Sequence, residues 1–159
     1  MANLYENSFK VAELLLGGVQ PGSAARRRAV STAYYALFQR LSSLCAHCLS
    51  QARPNSGEYR RAYRALDHRQ VREALSRSET FFKSNLADIF AELQDVRHWA
   101  DYSVSPHPDE EGAKEGRRFA LNDARDYVIK ARQAIEFVDS LDPPTRQRLA
   151  VLLVVRDRR

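Results

Sequence analysis

Apolar residues recur at intervals of three and four along most of this chain, and that spacing predicts helices. A first helix is expected over Leu4–Leu16. Asn3 is its cap and Glu6 follows three residues later, a capping-box pattern, and Gly17 and Gly18 close it. Ser23 is expected to cap a second helix running to about Gln51. Along it Val30, Ala33, Tyr34, Leu37, Phe38, Leu41, Leu44, Cys45 and Cys48 keep the helical period. The stretch RPNSG breaks this pattern. EYRRAYRAL and HRQVREAL then predict two short helices or one bent one, and SRSETFFKSN reads as a looser connection. A further helix is expected from about Asn85 to Tyr102, with Leu86, Ile89, Phe90, Leu93, Val96 and Ala100 as its buried stripe. The prolines and Gly112 of SVSPHPDEEG oppose helix, so that stretch is expected to be a loop. A long helix follows to about Leu141, turning Leu121, Ala124, Val128, Ala131, Ile135 and Val138 inward. After Pro143, either Pro144 or Thr145 opens a short last helix.

No stretch alternates apolar and polar residues as a half-buried strand does. The expected fold class is therefore all-α: an antiparallel up-and-down bundle of four main helices with short extra helices. The length, 159 residues, fits one domain over 1–159, with a core over about 4–141 and a C-terminal helix over about 144–156. A chain of this size buries a core without metals or disulfides. No apolar run approaches the roughly 18 residues of a membrane span, so no membrane partner is expected. MANLYENSFK lacks the basic and apolar regions of a secretory signal, and the expected location is cytoplasmic. Cys45 and Cys48, in the stretch CAHC, fall on one helical face. A zinc site needs about four ligands and no second pair exists, so the pair is expected to pack in the core, with no metal and no cofactor.

Charge adds a second layer. The net charge is +5, nearly all from arginine, since Lys10, Lys83, Lys114 and Lys130 are the only lysines. Arginine offers a planar fork that grips phosphate at two points, so a basic balance is compatible with a nucleic-acid partner. Arg26, Arg27 and Arg28 occupy the first turn of the second helix, where the helix dipole disfavours cations. A phosphate bound at that turn would reverse the argument. Arg60, Arg61, Arg64, Arg69 and Arg72 form another basic stretch, interleaved with Tyr59 and Tyr63 as on some RNA-binding surfaces.

One arginine lies where a hydrophobic residue is expected. Arg97 is separated from Leu86, Phe90, Leu93 and Ala100 by 11, 7, 4 and 3 residues, all spacings that fall on one helical face. A buried guanidinium is costly unless paired. Asp101, four residues on, is its natural local partner, and Tyr102 stands at the helix end. As a plain salt bridge such a pair is worth only a few tenths of a kcal/mol, too little to explain an arginine on an apolar stripe.

Taken together, RRAVSTAYYALFQRL (27–41) and LQDVRHWADYSVSP (93–106) resemble the motifs of the HEPN domain family. In bacterial members one long helix carries a small residue followed by Tyr-Tyr-Ala and Phe, and a later helix ends in Arg, a short gap and Ala-Asp-Tyr. The resemblance implies a helical bundle that forms a homodimer. Many members are metal-independent endoribonucleases, some of them toxins held by nucleotidyltransferase-like antitoxins. Their motif is an arginine, often followed by a polar residue, and then a histidine four to six residues later. Arg97 matches the arginine and His98 the polar residue. The histidine is missing: Tyr102, Ser103 and Val104 occupy its positions, and His107 is too distant. Histidine exchanges protons near neutrality, whereas a tyrosine hydroxyl keeps its proton there and donates.

The resulting expectation is an RNA- or phosphate-binding protein. Arg97, Tyr102, Asp101 and His98 form its candidate catalytic set, and Arg26, Arg27, Arg28 and Tyr35 its phosphate or RNA contacts. The competing expectation is a non-catalytic helical module that binds a protein or a nucleotide. No G-x-x-x-x-G-K motif supports a P-loop.

Overall fold

The structure, a computed structural model, describes residues 3–102 and 119–156. Its regular elements are all helical: α1 (Leu4–Leu16), α2 (Ser23–Ser50), α3 (Gly57–Tyr63), α4 (His68–Ser76), α5 (Thr80–Phe82), a π-helical turn (Lys83–Ala87), α6 (Asp88–Tyr102), α7 (Leu121–Ser140) and α8 (Pro143–Val154). The fold is an all-α helical bundle, with no strand among the described residues.

Local chemistry sets the helix boundaries. The Glu6 carboxylate accepts the backbone N–H of Asn3 at 3.4 Å, holding the start of α1. Ser56 Oγ accepts the N–H of Tyr59 at 3.1 Å and opens α3. Asp67 Oδ1 accepts the N–H groups of Arg69 and Gln70 at 3.0 and 3.1 Å and opens α4. At α8, Asp142 Oδ1 accepts the N–H of Thr145 at 2.9 Å. Pro143 and Pro144 stand in that first turn, where a missing N–H costs nothing. Gln51 and Asn55, at φ 48° and 70°, turn the chain between α2 and α3.

Two expectations need correction. Ser23 does not precede α2 but is its first helical residue, and the Gly22 carbonyl accepts the N–H of Arg26 at 3.0 Å. The stretch SRSETFFKSN is no loose connection, because helix resumes at Thr80 and runs through the π turn into α6. Phe82, Leu86, Ala87 and Phe90 are all buried. Phe82, Leu86 and Phe90, four residues apart, share one α-helical face, whereas Ala87, five after Phe82, falls off it. A π turn, bonded i to i+5, takes in the extra residue. Side chains brace this turn: Ser84 Oγ donates to the Thr80 carbonyl at 3.1 Å and Asn85 Nδ2 to the Phe81 carbonyl at 2.9 Å. The loop expected over 103–112 lies outside the described residues.

The chain divides into two compact units. The first comprises Met1–Leu37 and Phe90–Gln133, the second Phe38–Ile89 and Ala134–Arg159. Buried residues of the first include Phe9, Ala12, Val30, Tyr34, Leu37, Phe90, Leu93, Ala124 and Ala131. A salt bridge joins Arg132 of α7 to Glu13 of α1 within it. The second buries Leu41, Cys45, Val71, Leu75, Leu86, Val138, Leu149 and Leu153. There Gln70 Nε2 donates to the carbonyls of Leu153 and Val154, both at 3.1 Å, which satisfies the open end of α8.

Candidate functional site

Arg97 lies on the inner side of α6, as its spacing predicts, and its side chain is only 12% exposed. Helix α2 supplies the floor beneath it. The guanidinium carbon stands 5.4 Å from the ring centre of Tyr34 and 5.3 Å from that of Tyr35, and Tyr102 adds a third ring at 5.8 Å. Negative ring faces stabilise a cation at such distances. Tyr34 is fully buried, held edge-on against Tyr35 and tilted against Phe90, each at 5.5 Å. The position of the arginine is thus fixed by the same tyrosine pair that stood out in the sequence.

Pairing of the charge is incomplete. Asp101 Oδ2 is 3.8 Å from Arg97 Nε, an ion pair too long for a hydrogen bond. The Asp101 side chain is 17% exposed although the residue as a whole is exposed, because its backbone ends the helix. Arg97 Nε is buried and has no hydrogen-bond acceptor among the described residues. A buried donor left unsatisfied costs on the order of 1–3 kcal/mol. Above this arginine, Tyr102 is 67% exposed and His98 is exposed, their rings 5.1 Å apart. The four residues of the expected catalytic set therefore share one helix end, with a sunken cation and two exposed polar rings.

The expected phosphate contacts behave differently from one another. Arg27 lies 4.4 Å from the ring centre of Trp99, which is itself buried and 5.1 Å from Phe119. Arg26 has a buried Nε without an acceptor among the described residues. Only Arg28 of the three is exposed, and Tyr35 is half-buried beside Arg97. The partnership of Arg27 with Trp99 was invisible in the sequence, since the two lie on different helices.

Cys45 is buried and Cys48 half-buried. Burial pushes the Cys45 thiol up to about 12, with the neighbouring Cys48 adding to the rise. Burial also raises Cys48, against the opposing pull of Arg146 and Arg40. Among the described residues no group of His, Cys, Asp and Glu could hold a metal ion. A thiolate is the reactive form, so Cys45 should stay unmodified when the native protein meets iodoacetamide at mildly alkaline pH. Mass spectrometry should find it labelled only after denaturation.

The second unit contains two open clefts of about 530 and 540 Å³. Phe82, Val151 and Leu152 line the first, Asp67, Gln70 and Arg156 the second, and Arg77 borders both. Neither contains a residue of the expected site. No helix among the described residues is long and apolar enough to cross a membrane. Comparison with family models, with curated proteins and with solved structures gave no match.

Proposed function

We propose that this chain is a HEPN-type RNA- or phosphate-binding protein whose site is built around Arg97. The observation that carries this reading is the buried Nε of Arg97, which has no acceptor among the described residues although Asp101 is close by. A phosphate oxygen is the acceptor that a guanidinium fork suits best. In this reading Arg97 holds the phosphate, Asp101 steadies Arg97, and Tyr102 donates a hydrogen bond or proton to the leaving oxygen. His98, exposed beside Tyr102, is the candidate general base. The protein then acts as an endoribonuclease, in the manner of a toxin restrained by a nucleotidyltransferase-like antitoxin. The test is incubation of the purified protein with total RNA, with the ends mapped by primer extension. Defined cleavage supports the reading, and intact RNA at high protein concentration removes the nuclease from it.

The family resemblance further implies a composite cleft between two copies. A stable homodimer should bury upwards of about 1,000 Å² in total. Light scattering at micromolar concentration should therefore give twice the chain mass, and a monomer would sink the composite site.

A second reading has its own support. An arginine side chain 12% exposed beneath three rings is also what a purely structural cation looks like. Tyr102 stands where the family's histidine belongs. In that case the chain is a non-catalytic helical module, and it neither binds nor cuts RNA through Arg97.

A further inference from the structure

The second unit carries a charged surface that the Arg97 site does not use. Between positions 53 and 64 the chain places four arginines, Arg53, Arg60, Arg61 and Arg64, against one acid, Glu58. All five are exposed. Among the described residues, none of the four guanidinium groups has an ion-pair or hydrogen-bond partner. Other described arginines of the same unit are engaged. Arg40 pairs with Asp139, Arg69 with Glu73 and Arg148 with Glu79, while Arg146 donates to the Asp139 carbonyl and Arg156 to Gln70.

The opposite side of α3 explains how the arginines are presented. Tyr59 OH lies 3.2 Å from His47 Nδ1 and 3.4 Å from Ser43 Oγ, tying α3 to α2. Tyr63 stacks on Tyr59 with ring centres 6.3 Å apart. Tyr59 and Tyr63 are one turn apart, as are Arg60 and Arg64, so the tyrosines and the arginines occupy different faces. No residue of α3 is fully buried. The helix adds little to the core, and like charges one turn apart destabilise it. A polyanion would relieve that repulsion.

We infer that α3 and the turn before it form a nucleic-acid backbone surface whose ligand is single-stranded RNA. Every cation here is arginine, the residue that binds phosphate through two parallel hydrogen bonds. The partly exposed edges of Tyr59 and Tyr63, on the adjoining face, add the aromatic element that single-strand binders combine with such cations. This surface goes beyond the Arg97 reading, since binding here requires no chemistry at Tyr102.

The test measures binding of a fluorescein-labelled oligouridylate to the full chain by anisotropy over a series of salt concentrations. The triple variant Arg60→Ala, Arg61→Ala, Arg64→Ala is measured beside it, with circular dichroism to confirm its helices. Each phosphate neutralised on a single strand contributes roughly 0.7 to the slope of log K against log salt. The variant's slope should therefore be shallower by about 2. An unchanged slope in the folded variant overturns the inference, as does a wild-type chain that fails to bind at low salt. Polyglutamate that displaces the probe as well as unlabelled RNA does would overturn the assignment to nucleic acid. RNA cleavage by the wild-type chain and by Tyr102→Phe reads the Arg97 site separately, so either proposal can fail while the other stands.

Discussion

Replacing Tyr102 by phenylalanine should lower RNA cleavage by about 10²–10⁴-fold, the usual contribution of a positioned acid–base group, and leave the melting temperature nearly unchanged. The ring is 67% exposed, and its hydroxyl has no partner among the described residues. Removing that oxygen therefore breaks no hydrogen bond among the described residues. The ring itself, which closes over Arg97 at 5.8 Å, remains in the variant. Activity and stability should thus separate cleanly. Equal cleavage by the two proteins would make Tyr102 a cover for the arginine and nothing more. A lowered melting temperature with no cleavage by either protein would favour the non-catalytic reading.

Tyr34→Ala should have the largest effect on stability, a loss of about 3–5 kcal/mol, as for other buried aromatic residues cut back to alanine. Tyr34 is fully buried, touches Tyr35 and Phe90, and forms part of the bed of Arg97. Its removal leaves a cavity beside a cation and takes away one of the ring faces that stabilise it. Tyr34→Phe keeps the ring and should lose much less. Chemical denaturation of the three proteins measures the difference. If Tyr34→Ala and Tyr34→Phe unfold at the same denaturant concentration, the ring is not what supports this region.

The sequence and the structure agree where the information is local. Helix periodicity fixes the direction of each side chain about its own axis, so the inward position of Arg97 was readable from its distances to Phe90, Leu93 and Ala100. The capping box of Asn3 with Glu6 was readable for the same reason, because donor and acceptor lie within one turn, whereas the cap expected at Ser23 proved to be the first helical residue. What lies across from a residue on another helix is not encoded in spacing. Hence Tyr34 and Tyr35 beneath Arg97, and Trp99 beneath Arg27, emerged only from the fold. The missed helical start over 80–84 has a different cause. A template of 3.6 residues per turn accommodates Phe82, Leu86 and Phe90 but not Ala87 beside them, and the polar run of Lys83, Ser84 and Asn85 between them reads as a loop. Both Arg26–Arg28 and Arg60–Arg64 read as basic runs, yet the first is partly consumed by packing and the second is not. Composition alone could not separate them.

The π turn at Lys83–Ala87 also bears on how such a chain can change over generations. A turn bonded i to i+5 holds one residue more than its α-helical counterpart. It is therefore a place where a single-codon deletion would leave a continuous α-helix in place of broken structure. Lys83, Ser84 and Asn85 are exposed there, so the codon lost could be one whose side chain supports no core contact. After such a deletion Leu86, Ala87 and Phe90 would follow Phe82 at three, four and seven residues, spacings that share one face of an α-helix. The segment leading into the helix that bears Arg97 thus has a built-in register mark, and relatives that differ in length by one residue should differ there.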